Sequence, residues 1–173
     1  MKRQFDASNA SVQIYTFKDG LLARVGHDLC LAVTRFEVTL AEGVDAWFDA
    51  ASIDVVHALR AGEPHPEGLS TSDRETIRRN TANEVLHSRR FPRITFRSDA
   101  IDETAEGLET SGELTLHGKT REVGVAAVTD GGDLVITAEI HQPDFGITPF
   151  SALLGTLRVL PKLRVVVRLR NYK

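Results

Sequence analysis

Of 173 residues only one is cysteine, one tryptophan and one methionine, and aromatic side chains make up 6% of the chain. The lone thiol, Cys30, excludes an internal disulfide framework and leaves no thiolate cluster for a structural metal. No stretch reaches the roughly 18 uncharged apolar residues that a membrane helix requires. The opening MKRQFDASNASVQIYTF has Lys2 and Arg3 but no apolar core of a secretory signal, so the expected compartment is the cytoplasm if Met1 is the natural start. A basic excess is missing too. The formal net charge is −3, acids interleave with the basic runs RETIRR and HSRRFPR, and aromatics are too few for a base-stacking platform, so no nucleic-acid partner is expected. The chain also lacks a Gly-x-Ser-x-Gly elbow, a Walker loop and a dinucleotide fingerprint, and no cofactor is implied.

What is present is alternation. KLRVVVRLR sets Leu163, Val165, Val167 and Leu169 on one face against Arg164, Arg168 and Arg170 near the other, the period of a half-buried strand. LVITAEI repeats it through Leu134, Ile136, Ala138 and Ile140, and ITFRS, GELTLHG, REVGVAAVT and SVQIYTF read alike. In DLCLAVTRFEVTL the inward set is Leu29, Leu31 and Val33, then Phe36, Val38 and Leu40; the parity slip at Thr34-Arg35 predicts a β-bulge. GVDAWFDAASIDV is expected as one strand alternating through Trp47, Ala51, Ile53 and Val55.

One segment breaks the period. STSDRETIRRNTANEVLHS offers Ser72 and Glu75 as a capping box, with Ile77, Thr81 and Val85 at helical spacing, and ends near Phe91-Pro92. RAGEPHPEGLS before it reads as an exposed loop, and a short helix is expected around Ser151 to Leu157. The length and the absence of a linker predict one domain over residues 1–173. About eight strands with one good helix point to an all-β fold, an antiparallel sandwich or barrel, and a barrel of that size is either filled or holds one small ligand.

Five stretches then stand out in order. VGHDLCLAVTRFEVTL carries a histidine ahead of an apolar strand, and FDAASIDV ends a strand on Ser-Ile-Asp. NEVLHSRRFPRITFRS combines Leu86, Phe91-Pro92, Ile94-Thr95-Phe96 and Ser98; GELTLHGKTREV reads Gly-x-Leu-Thr-x-x-Gly-x-Thr; DFGI spans Asp144 to Ile147. Together they resemble the YceI-like family, also described as polyisoprenoid-binding, lipocalin-like proteins. That resemblance implies an elongated antiparallel lipocalin-like β-barrel of about eight strands, with one helix capping an end and an apolar channel for an amphiphilic chain such as an isoprenoid, fatty acid or fatty amide. Many resembling proteins are exported. The segment before the aromatic-Pro is usually short in the family, whereas here a longer helix occupies it.

His27 and Asp28 cannot form a dyad within one strand, because neighbouring side chains leave on opposite faces. His27 is either a hydrogen-bonded strand-end residue or a donor to a ligand headgroup at the barrel mouth, where the family has a histidine. The other histidines lack zincin or finger spacing, so no metal site is expected. Cys30, between Leu29 and Leu31, reads as a small buried hydrophobe. The arginines from Arg164 to Arg170 are a solvated face, a homodimer interface or an anion-attracting patch. The apolar set Leu29, Leu31, Val33, Phe36, Trp47, Ile53, Phe96, Leu114, Phe145 and Phe150 is expected inside, as plain core or as the lining of a channel. Alanines in AVT, DAAS and VAAV are expected to leave room there. The expected function is binding, carriage or storage of a long apolar or amphiphilic molecule without catalysis. The alternatives are an enzyme on a lipid-like substrate using His27 and a carboxylate, and a filled barrel acting as an interaction module.

Overall fold

The computed structural model describes residues 1–20 and 26–172. Val25, which opens the first of the family-like stretches, lies outside them. The elements are β1 (Arg3–Asp6), β2 (Ala10–Thr16), β3 (Lys18–Asp19), β4 (Asp28–Val33), β5 (Phe36–Leu40), β6 (Val44–Asp49), β7 (Ile53–Arg60) and β8 (Glu63–His65). Helix α1 (Thr71–Asn80) follows, continued by a wider turn (Thr81–Val85). Then come β9 (Arg93–Ser98), β10 (Asp102–Glu103), β11 (Leu108–Leu116), β12 (Lys119–Asp130), β13 (Asp133–His141), β14 (Ser151–Ala152), β15 (Leu157–Val159) and β16 (Lys162–Leu169). The main sheet is antiparallel, in the order β1-β5-β6-β9-β11-β12-β13-β16-β2-β4-β7-β8, with β10 beside β11. β14, β15 and β3 form a small separate sheet.

The order shows how the sheet curls. β5 and β6 stand near one end of it, β4 and β7 near the other, yet β4 runs into β5 and β6 into β7. These are two halves of one bent hairpin, so the sheet returns upon itself. Backbone bonds hold the hairpin together through the bend, from Thr34 N–H to the Ser52 carbonyl at 3.1 Å and from Asp49 N–H to the Arg35 carbonyl at 2.9 Å. The parity slip at Thr34-Arg35 is therefore a corner between two strands and not a bulge. The bulge lies instead between Cys30 and Leu31, which pair with His57 and Val55 so that Val56 is the extra residue. The corner splits the strand expected over GVDAWFDAASIDV, with a tight turn at Ala50–Ser52 between β6 and β7.

The helix starts two residues earlier than the Ser72-Glu75 pattern predicts. Ser70 is the N-cap: its Oγ accepts from Asp73 N–H at 3.0 Å, and the Asp73 carboxylate accepts from Ser70 N–H at 2.9 Å. Both Ser-x-x-acid patterns occur; Leu69, packed against the core, fixes where the chain enters. Side chains at Ile77, Thr81 and Val85 would drift by about 40° per step along a regular α-helix. The wider turn, closed by Leu86 N–H to the Thr81 carbonyl at 2.9 Å, offsets that drift and brings Val85 and buried Leu86 onto the barrel. The helix expected near Ser151 is a single turn, Leu153–Gly155, between β14 and β15. Among the described residues no helix is long and apolar enough to cross a membrane.

The barrel has two distinct ends. At the helix end lie the last residues of β2 and β13 and the first of β4 and β16, as the pairs Thr16–Leu29 and His141–Lys162 show. Helix α1 and the β14-β15-β3 sheet cover this end. At the opposite, terminus end, Ala10 pairs with Leu169 and Leu169 with Leu134, and Arg3 meets Tyr172.

Candidate functional site: an apolar cavity in the barrel

Inside the sheet is a cavity of about 510 Å³, within the range of small-molecule sites. The inward positions of the alternating strands build its wall. β2 contributes Val12 and Ile14, β13 Leu134, Ile136 and Ala138, and β16 Leu163, Val165 and Val167. Many of these side chains are only half-buried although they point inward, because the space they face is unfilled. A barrel plugged by its own side chains is thereby set aside. Ile77, Thr81, Val85 and Leu86 close the helix end from above, and Phe150 and Leu157 close it from the small sheet.

Polar groups on the lining gather toward the ends. At the helix end they are Lys18, His27, Asn80, Gln142 and Arg158; near the terminus end they are Arg3 and Glu109. His27 is exposed and lines the mouth, while its neighbour Asp28 turns away and accepts from Lys18 N–H at 2.8 Å. The Ser70 hydrogen bonds, and more weakly the nearby His27, hold the Asp73 carboxyl below its ordinary range. Both carboxylates around His27 are thus committed to backbone donors. Gln142 is 3% exposed, and its Nε2 donates to the Leu160 carbonyl at 3.1 Å. Among the described residues no three His, Cys, Asp or Glu side chains converge to hold a metal ion.

The sequence matches the family model for a YceI-like domain over residues 4–169. The chain belongs to the YceI-like family. The crystal structure of BcnA from Burkholderia cenocepacia aligns with a TM-score of 0.62 at 17% identity, covering 95% of this chain and 97% of that one. A polyisoprenoid binding domain from Saccharophagus degradans, implicated in plant cell wall breakdown, aligns with a TM-score of 0.50 at 9% identity, 98% of each chain being covered. At these identities the likeness is one of fold. A comparison with curated proteins finds no match.

Of the residues expected inside this YceI-like barrel, His27, Leu29, Leu31, Val33, Ile53, Phe96, Leu114 and Phe150 line the cavity together. Phe36 and Phe145 are buried core without reaching it. Phe36 stacks on Phe48, ring centroids 6.3 Å apart, so Phe48 is the lining residue of that pair. Phe145 ends the turn Gln142–Phe145, its carbonyl facing His117, and Ile147 lines the cavity in its place.

Trp47 is on the outer face, under the Arg93 guanidinium at 4.6 Å from its ring centroid. The turn at Ala50–Ser52 resets parity, so Ala46 and Phe48 point inward and Trp47 outward. The room-making alanines also differ: Ala46, Ala127 and Ala138 line the cavity, and of these only Ala127 belongs to the stretches read that way. Cys30 is fully buried on the other face of β4 from Leu29 and Leu31, and burial pushes its thiol pKa up, which makes it a poor nucleophile. The final-strand arginines face away from the cavity. Arg168 pairs with Asp130 at 2.9 Å and Asp133 at 3.1 Å, and Arg164 stacks over Tyr15. Periodicity does not mark Gln142, Lys18 and Arg158 as mouth residues, since a turn or a strand of two or three residues is too short to show a period.

Proposed function

We propose that the barrel binds a long apolar or amphiphilic molecule such as an isoprenoid, a fatty acid or a fatty amide, and carries or stores it without chemistry. The observation that carries this reading is the apolar cavity of about 510 Å³ with its polar groups toward the ends. The name of the Saccharophagus degradans domain supports the isoprenoid among these classes. Each methylene withdrawn from water contributes about 0.8 kcal/mol, so a tail of ~12 carbons gains on the order of 10 kcal/mol against an association cost of about 4 to 15. At the low end of that cost the balance is about −6 kcal/mol, a Kd of some tens of micromolar, and each further buried methylene tightens it about fourfold. In this reading His27 orients the polar head at the mouth while the tail runs down the wall. Asp28 accepts from Lys18 N–H and Asp73 from Ser70 N–H, so both carboxylates anchor the local backbone beside it.

Thermal unfolding with and without long-chain lipids tests the reading. A ligand at a hundredfold excess over its Kd stabilises the fold by about 2.7 kcal/mol, an upward shift that is easily read. An unchanged midpoint across isoprenols, fatty acids and fatty amides rejects it. His27→Ala is expected to erase discrimination between headgroups while leaving hydrocarbon binding intact; equal losses for both would remove the orienting role.

A further inference from the structure

The turn between β14 and β15 presents Leu153 and Leu154 to water, 57% and 106% exposed. Both take left-handed backbone angles, φ 52° and 57°, which glycine or asparagine adopts at lower cost. A solvated turn has no use for two leucines in that conformation, since Leu154 is wholly in water and Leu153 is more than half so. The residues on either side, Phe150 and Leu157, line the cavity, so the tip stands at its mouth.

The surrounding charge leans positive. Between Gly146 and Lys162 the chain carries Arg158 and Lys162, paired with Asp19 at 3.2 Å and Glu139 at 3.0 Å, and residues 71–93 carry six arginines against three acids, although the whole chain is at −3. Among the described residues Arg78, Arg79 and Arg89 have no carboxylate partner. Positive charge is therefore concentrated on the elements that cover the helix end.

We infer that the helix end is a docking face for an anionic lipid bilayer, with Leu153 and Leu154 entering the headgroup boundary and the arginines held over the lipid phosphates. Two protruding leucines are too small to form the core of a protein interface, but they suffice as an anchor when cations add to them. Docking places the mouth against the lipid, so an apolar tail passes between bilayer and cavity without crossing water. The purpose of the surface rests on the carrier reading; its existence does not.

Co-sedimentation with vesicles tests it, comparing pure phosphatidylcholine with phosphatidylcholine containing roughly one-third phosphatidylserine. The protein is expected to pellet with the anionic vesicles and to be released by salt. Leu153→Asn with Leu154→Asn is expected to weaken binding by about tenfold or more, while the thermal midpoint holds or rises because asparagine suits the backbone. Arg78→Glu with Arg79→Glu is expected to lose binding to anionic vesicles only. A wild-type protein that stays in the supernatant, or a double-asparagine variant that pellets like wild type, overturns the proposal. Uptake of a fluorescent fatty acid from aqueous dispersion, measured on the same proteins, separates the two readings. Uptake without docking sinks the membrane face alone, and docking without uptake sinks the cavity reading alone.

Discussion

At the terminus end of the barrel the Arg3 guanidinium donates to the Asn171 carbonyl at 2.7 Å and to the Tyr172 carbonyl, and lies 5.3 Å from the Phe5 ring centroid and 5.0 Å from that of Tyr172. Both chain termini are thereby fastened to each other. At the helix end no residue of α1 is fully buried, and the β14-β15-β3 sheet shares no strand ladder with the main sheet, being tied to it through Lys18 N–H to the Asp28 carboxylate. One end is stapled by Arg3; the other is held by Arg74, whose guanidinium donates to the Val55 and Val56 carbonyls at 3.2 and 2.9 Å, but the inner faces of its covering elements meet empty space. The difference makes the helix end the place to test for ligand passage, because that cover can be displaced without unpicking the main sheet.

The largest effect separates the two faces of the wall. Phe96→Asp puts a carboxylate into the cavity and is expected to abolish fatty-acid uptake, whereas Trp47→Asp, on the outside, is expected to leave uptake near wild type. Loss in both, with folded protein by circular dichroism, would erase the inner-outer distinction. Next, Arg3→Ala removes charged donors from two carbonyls and is expected to cost about 1–3 kcal/mol in urea unfolding. Its rate of probe release should not change, since the staple is at the far end. Ser70→Ala is the converse: it costs about 1 kcal/mol by removing the helix cap. Probe release is expected to accelerate by up to about fivefold if α1 must lift for the ligand to leave. If Arg3→Ala alone speeds release, the passage is at the terminus end.

The smallest effect is in pH. His117, in the turn after β11, has its pKa lowered chiefly by burial, with His87, Arg90 and Lys119 adding to the shift and the Phe145 carbonyl opposing it. Its Nε2 is buried and has no hydrogen-bond partner among the described residues. The unfolded chain then binds the proton more readily, so this contribution to stability is complete above the unfolded pKa of about 6.5 and is lost as pH falls through the lower folded value. Below pH 6 the urea midpoint is expected to decline less in His117→Asn, which suits the φ of 52° there, than in wild type.

The barrel was legible wherever alternation ran unbroken, as in Leu134 to Ile140 and Leu163 to Leu169, because one face meets apolar space and the other water along the whole strand. It misled where the chain turns a corner. Counting back by twos from Ile53 through Ala51 puts Trp47 inside, but the turn at Ala50–Ser52 consumes residues out of step and moves Ala46 and Phe48 inward instead. Phe36 and Phe145 show a second limit, since periodicity distinguishes inside from outside but not core from cavity wall. The mouth was legible only at His27. Gln142, Lys18 and Arg158 reach it from turns and short strands whose placement depends on long-range packing.

Native mass spectrometry of protein purified without delipidation, followed by organic extraction, bears most directly on the hollow barrel. The account predicts a mass increment of one long-chain molecule per barrel, shed on extraction and restored by adding the extract back. Bare protein that neither releases lipid nor gains mass when long-chain lipids are supplied would contradict it.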